Sequence, residues 1–325
     1  MGGMGRPTSA AGPTPTRVAR MTPPAPAVAP VAGTPVGLTG PVADATSGWP
    51  PGPWGPRPRR RTRRPRRSGS AGPTGRTLLG VWAHPDDEAL LSAGLMAAHR
   101  RRGDRVVVVT ATAGEHGTED PVTWPPARLA ACRRAELRAS LAALGVDEVH
   151  LLDYEDGTCD RQDDAVATMR IAQVMEEVQP ELIVTFGPDG VSGHPDHVAV
   201  GRWATDAWAR TRPSAELWYP TFTPRFHRTW GELNDGIGLW FAQPELPTTA
   251  PGDLVWGERL PDDLADLKLA ALEAHHSQTG RVIEQVGRTT YREWWRHESF
   301  RRADVVALFA RSAAVPASAG IRQAA

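Results

Sequence analysis

Residues 77–88 read Thr-Leu-Leu-Gly-Val-Trp-Ala-His-Pro-Asp-Asp-Glu. A short apolar run passes directly into one imidazole and three carboxylates. The run has the composition of a buried strand, and the acidic residues after it mark the start of a helix. Carboxylates crowded at the end of a buried strand repel one another and are costly to desolvate. A divalent cation among them removes that cost, and His84 and Asp87, three residues apart, can reach one ion.

The same pattern recurs downstream. The apolar run Glu181 to Phe186 leads through the Gly/Pro-rich loop 187–193 to Gly193-His194-Pro195-Asp196-His197. Two histidines at i and i+3 at the start of a helix share a face. His84, Asp87 and one of His194 or His197 thus offer three ligands with an open position, the pattern of a catalytic zinc. Either cluster alone reads as a turn or a helix N-cap. Both stand at C-terminal ends of strands, where open α/β sheets hold their ligands.

Working outward, strands are predicted at Thr77–Ala83, Arg105–Ala113, Glu148–Leu152, Leu182–Phe186 and Glu216–Tyr219. Helices are predicted at Asp87–Arg102, Pro126–Leu144, Asp163–Val178, Pro195–Thr211 and Leu260–His276. This alternation gives an α/β fold: a Rossmann-like, doubly wound, mostly parallel sheet with helices on both faces. No Gly-x-Gly-x-x-Gly follows the first strand, which argues against a dinucleotide site. Residues 220–258 read as irregular, a lid over the pocket, and together with residues 110–127 as its rim.

Composition divides the chain. Residues 1–75 hold 11 arginines, 16 of the 31 prolines and one acidic residue, Asp44. Their charge of +10 leaves −10 on residues 76–325. Such a Pro/Gly/Arg-rich segment cannot bury enough surface to offset its ordering entropy and reads as a disordered tail. The domain proper is expected at 76–300, with 301–325 a partly disordered extension. The arginine-rich stretch Arg59 to Arg67 reads as a solvated tail rather than a nucleic-acid arm, since the remainder is acidic. No apolar segment follows it as in an export signal, and no run is long enough to span a membrane. Two cysteines, Cys132 and Cys159, form no disulfide framework or metal motif, which points to a reducing cytoplasm.

Ala-His-Pro-Asp-Asp-Glu at 83–88 and Gly-His-Pro-Asp-His at 193–197 resemble the two motifs of the LmbE-like, or PIG-L-type, metal-dependent N-deacetylases. Gly114-Glu115, Arg133-x-x-Glu136-Leu137, Leu144-Gly145-Val146 and Ala274-His275-His276-Ser277-Gln278 extend the resemblance over about residues 76–300. It implies that His84, Asp87 and His197 bind Zn²⁺, or Fe²⁺ in some conditions, and that Asp86 is the general base. It places His194 across the acyl carbon, stabilising an oxyanion or protonating the leaving amine as an imidazolium. Asp196 would hold that histidine charged. Arg133 either grips a polar part of the substrate or pairs with Glu136 on the helix surface. Glu88 is expected to satisfy backbone donors at the helix start. His275 or His276 either lines the pocket or complements a helix dipole. Ser192 stands where some sugar-thiol pathway members carry a tyrosine.

The implied reaction is hydrolysis of an N-acyl group, acetyl above all, from a small amino-sugar conjugate such as N-acetylglucosaminyl-inositol. Cleavage of mycothiol S-conjugates and deacetylation of a secondary metabolite are alternatives within the class. A non-catalytic sugar-binding protein on the same fold is the alternative outside it.

Overall fold

The computed structural model describes residues 75–238 and 246–303. Strands β1 (Thr77–Trp82), β2 (Arg105–Thr112), β3 (Glu148–Tyr154), β4 (Leu182–Thr185) and β5 (Glu216–Thr221) alternate with helices α1 (Asp87–Arg101), α2 (Pro126–Ala143), α3 (Asp164–Val178) and α4 (Pro195–Thr211). After them come α5 (Pro224–Ile237), β6 (Leu254–Arg259), α6 (Asp262–Ala274), α7 (His276–Val286), α8 (Arg288–Trp295) and β7 (His297–Arg302). The seven strands form one sheet in the order β3-β2-β1-β4-β5-β7-β6.

Strands β1 to β5 run parallel, whereas β7 is antiparallel to both β5 and β6. Leu79 pairs with Val107 on one side and Ile183 on the other, so β1 is an interior strand, and Leu78 to Trp82 are buried on both of its faces. That accounts for its continuous apolar sequence. The chain winds outward from β1 to β3 and then returns to β4 on the other side of β1. Strand order therefore reverses between β1 and β4, and the ligand crevice of such a sheet opens beyond that reversal. Both polar clusters follow these two strands.

The C-terminal half departs from expectation. Among the described residues, 220–258 are not irregular throughout: they contain the end of β5, all of α5 and most of β6. Thr223 caps α5 by accepting the Phe226 N–H at 3.2 Å, and Gly238, at φ 68°, closes it. The long helix expected over Leu260–His276 runs from Asp262 to Ala274 and turns a corner at His275 into α7. Tail residues 1–74 and residues 304–325 lie outside the described residues. Among the described residues no helix is long and apolar enough to cross a membrane.

One buried ion pair ties the C-terminal elements to α1. The chain's single lysine, Lys268 on α6, reaches Glu298 Oε1 on β7 at 2.8 Å and Leu90 O on α1 at 2.6 Å. The Glu298 carboxylate also accepts the N–H groups of Gly94 and Leu95. This network packs against the helix whose first turn carries Asp87.

Candidate active site

The chain leaves β1 at Trp82 and turns through His84 and Pro85 into α1. The turn is closed by its own side chain, since Asp87 Oδ2 accepts the His84 N–H at 2.8 Å. Asp86 caps the helix with φ 114° and ψ −28°. A non-glycine residue in this left-handed region costs on the order of 1–2 kcal/mol. Buried partners hold it there: Glu88 Oε2 accepts the Asp86 N–H at 3.0 Å. The other Glu88 oxygen accepts from His275 Nε2 at 2.7 Å and from Ser140 Oγ at 3.1 Å.

Three side chains converge beside this turn. His84 Nδ1 lies 3.1 Å from His197 Nε2 and 3.6 Å from Asp87 Oδ2, and His197 Nε2 lies 3.4 Å from Asp87 Oδ1. Ligand atoms about 2.0–2.1 Å from a tetrahedral zinc lie roughly 3.3 Å from one another. The spacing and the N, N, O donor set therefore fit such an ion. The outward ring nitrogens suit the same arrangement. His84 Nε2 faces Asp156 Oδ1 at 3.1 Å and Asp196 Oδ2 at 3.2 Å. His197 Nδ1 faces Gly190 O at 3.1 Å. Each outward nitrogen can donate its proton and leave the inward lone pair free, as metal-binding histidines require.

Two groups that differ from this set, His84–His194–His197 and His84–Asp156–Asp196, bring one ligand atom from each residue within 4.8 Å of one another. The first draws on His194, whose Nδ1 accepts the Asp196 N–H at 3.2 Å. The second uses His84 Nε2, the nitrogen already engaged by both carboxylates. Burial pushes the Asp87 carboxyl up to about 7, against the opposing charge of His84. Burial and the His84 charge push His197 well below the usual histidine range. For His84 burial acts downward, but the bonds to Asp156 and Asp196 and the Asp87 charge raise it to about 10.

Arg133 is not on the helix surface. Its guanidinium is buried and donates to Gly114 O at 2.8 Å, Pro85 O at 2.6 Å and Asp86 Oδ2 at 3.1 Å. A Cβ on Gly114, which has φ +64°, would collide with this guanidinium, and one on Gly117 would lie 2.5 Å from it. Glu136, the alternative partner, instead holds Ser277 through its N–H and hydroxyl. Arg133 lines the cavity, yet two of its three acceptors are backbone carbonyls and the third is Asp86. The guanidinium thus bridges the Asp86 carboxylate and the backbone of two loops at the edge of the cavity.

The Asp196 carboxylate does not face the His194 ring as expected. It is fully buried and accepts from Gly157 N at 2.8 Å and Cys159 N at 3.0 Å besides contacting His84. Burial and the nearby His84 charge lower the His194 pKa, with the Asp196 charge acting the other way. With Nδ1 accepting, its proton resides on Nε2.

A cavity of about 1000 Å³ opens over these groups. His84, Asp86, Asp87, Asp156, His194 and His197 line its polar part. The loop 117–124 contributes to the wall, as expected of residues 110–127. Among the described residues, none of 220–258 does; the opposite wall is Ser277, Gln278, Arg281 and Val282 of α7. Asp156 had no sequence motif to announce it, only its place just beyond the third parallel strand. Ser192 lines the cavity with its Oγ 3.0 Å from His197 Nδ1.

The family model described as PIG-L: GlcNAc-PI de-N-acetylase matches residues 79–208, a span that contains both clusters. A 1D-myo-inositol 2-acetamido-2-deoxy-alpha-D-glucopyranoside deacetylase of Mycobacterium sp. (strain KMS) is 33% identical over 231 residues, covering 62% of this chain and 73% of the relative. The enzyme of the same name from Saccharomonospora viridis is 33% identical over 228 residues, covering 62% and 84%. Among solved structures, a triple mutant of a deacetylase of the teicoplanin biosynthetic pathway superposes with a TM-score of 0.52. It is 19% identical, over 70% of this chain and 99% of that one, a likeness of fold alone.

Proposed function

We propose that this chain, which belongs to the PIG-L family, is a zinc-dependent amide hydrolase that removes the N-acetyl group of an amino-sugar conjugate. The observation that carries the reading is the convergence of His84 Nδ1, an Asp87 oxygen and His197 Nε2 beside the Asp86 carboxylate. The relatives' activity makes N-acetylglucosaminyl-inositol the first substrate to test.

His84, Asp87 and His197 would hold the ion, and Asp156, Asp196 and Gly190 would orient the two imidazoles. When bound, zinc lowers the pKa of water to about 7 and polarises a carbonyl oxygen. Asp86 takes the proton of the attacking water and later delivers it to the leaving amine. Arg133 fixes the orientation of that carboxylate. The His194 Nε2–H is the hydrogen-bond donor available to the oxyanion of the tetrahedral intermediate. Water and the amide become acetate and a free amine, with no other reactant required. The unpaired Cys132 and Cys159 accord with a reducing cytoplasm.

Free-amine release from N-acetylglucosaminyl-inositol by the zinc-loaded protein, beside its Asp86→Ala variant, tests this reading. Release that disappears in the variant while bound zinc stays stoichiometric is the expected result. Equal release by both proteins would remove Asp86 from the role of base.

A further inference from the structure

The contact of His197 Nδ1 with Gly190 O fixes one atom of the imidazole but not its tilt about the Cβ–Cγ bond. That torsion has only a broad intrinsic preference, so packing must set it. The tilt decides where Nε2 points, and a ligand nitrogen must aim its lone pair at the ion.

Phe186 supplies the constraint. Its ring stacks on the His197 imidazole, with centroids 4.2 Å apart and planes 14° from parallel. Among the described residues, the other rings beside His197 are those of His84 and His194. They stand 5.1 Å away and are tilted from it by 49° and 37°. Phe186 is fully buried and does not line the cavity, so it touches neither substrate nor ion.

Three features hold Phe186 in turn. Thr185, the residue before it, donates its hydroxyl to Val81 O at 2.9 Å and ties the end of β4 to β1. Trp82, two residues before His84, meets the Phe186 ring at 5.2 Å and 89°, an edge-to-face contact. Gly201 stands one helical turn after His197. A Cβ there would lie 2.7 Å from Phe186 O and 3.0 Å from Phe186 Cβ. Glycine therefore lets α4 approach closely enough for the two rings to meet.

We infer that Phe186, set by Trp82 and by the close approach at Gly201, is a positioning residue for His197, holding the imidazole plane so that Nε2 faces His84 Nδ1 and Asp87 Oδ1. The inference rests on the reading of His197 as a zinc ligand given above. Leucine at 186 would keep an apolar filling but offer no flat face, and the imidazole would be free to tilt.

Zinc affinity tests this, read by competition with a chromophoric chelator, together with the visible spectrum of the cobalt-loaded protein. Phe186→Leu should bind zinc roughly 10- to 100-fold more weakly than wild type. Its cobalt spectrum should shift, and kcat should fall by more than KM changes. Gly201→Ala keeps the phenyl ring but lifts α4 from it, so it should weaken zinc as well; it carries the test if Phe186→Leu does not fold. Phe300→Leu is the control, because Phe300 is equally buried but packs against Trp218 of β5 and Trp256 of β6. It should leave zinc affinity and the cobalt spectrum as in wild type.

Wild-type affinity and spectrum in a folded Phe186→Leu protein, or in Gly201→Ala where only that variant folds, would overturn the inference. An equal loss in Phe300→Leu would overturn it too, since general loosening of the core would then account for the effect. Zinc weakened in the Phe186 and Gly201 variants, without amide hydrolysis by the wild type, would support the positioning role and overturn the hydrolase reading. A folded wild type that binds no zinc would overturn both.

Discussion

His275 Nε2 lies 2.7 Å from Glu88 Oε1, and neither side chain has any exposed surface. The pair joins the corner between α6 and α7 to the residue whose second oxygen holds the strained backbone of Asp86. Burial raises the Glu88 carboxyl, but the His275 charge and hydrogen bond outweigh it and hold the group below its ordinary range. His275→Ala would strand a buried carboxylate with Ser140 and one backbone donor. Removing one partner of a buried pair costs about 3–5 kcal/mol. We expect that loss in urea denaturation, with a fall in kcat larger than any change in KM. His275→Gln, which retains a donor, should recover most of both. Unchanged kcat in a folded His275→Ala protein would rule out a link between this pair and Asp86.

Arg133 depends on two glycines for its place. Gly114→Ala sets a Cβ against the guanidinium and puts alanine at φ +64°. Arg133 must move, and the Asp86 carboxylate loses its fixed partner. A displacement of about 1 Å at a reacting group can reduce turnover roughly a hundredfold. Arg133→Lys should fail similarly, because one ammonium cannot reproduce the planar fork that serves Pro85 O, Gly114 O and Asp86 together. Both variants should keep stoichiometric zinc, measured by atomic absorption, while kcat falls. Loss of zinc instead would make Arg133 a support of the ligand set rather than of Asp86.

The central sheet and both clusters were legible because two independent signals coincide. Strands β1, β2 and β4 are buried on both faces and read as apolar runs, and the polar clusters follow β1 directly and β4 after the loop 187–193. The C-terminal half carried weaker signals. Strands β6 (Leu-Val-Trp-Gly-Glu-Arg) and β7 (His-Glu-Ser-Phe-Arg-Arg) are rich in charge, and their pairing partners lie far apart in sequence. Glu298 is buried only because Lys268 meets it, a condition no local pattern reveals. The contacts of Arg133 and Asp196 were hidden for the same reason. Sequence placed them near the site but not the direction in which each side chain turns.

His297 gives the fold a pH dependence of definite sign. Burial, aided by the Arg259 and Arg225 charges, lowers its pKa to about 4. The unfolded chain takes up that proton near pH 6.5. Its contribution to stability is therefore complete above about pH 6.5 and declines as pH falls toward 4. The slope is at most about 1.4 kcal/mol per pH unit. The difference in urea-unfolding free energy between wild type and His297→Gln isolates this group from the other titrating residues. That difference should shrink between pH 6.5 and 4 and stay constant between pH 7 and 8. A difference independent of pH would mean that His297 takes up its proton at the same pH in the folded and the unfolded chain.

The Lys268–Glu298 pair yields a sharper test, because its partners on α1 are also potential partners of each other. Lys268 donates to Leu90 O, and Glu298 accepts from Gly94 N–H. Residues 90 and 94 stand four apart, the spacing of a helical hydrogen bond. Lys268→Met alone leaves the Glu298 charge buried without its cation, and Glu298→Leu alone leaves the ammonium without its anion. Each single change should cost about 3–5 kcal/mol. In the double variant both charges are gone, and the Gly94 N–H can bond Leu90 O within the helix. The double variant should therefore be less destabilised than either single one, with a coupling above about 2 kcal/mol in a urea-unfolding cycle. Additive losses would show that Lys268 and Glu298 stabilise α1 separately.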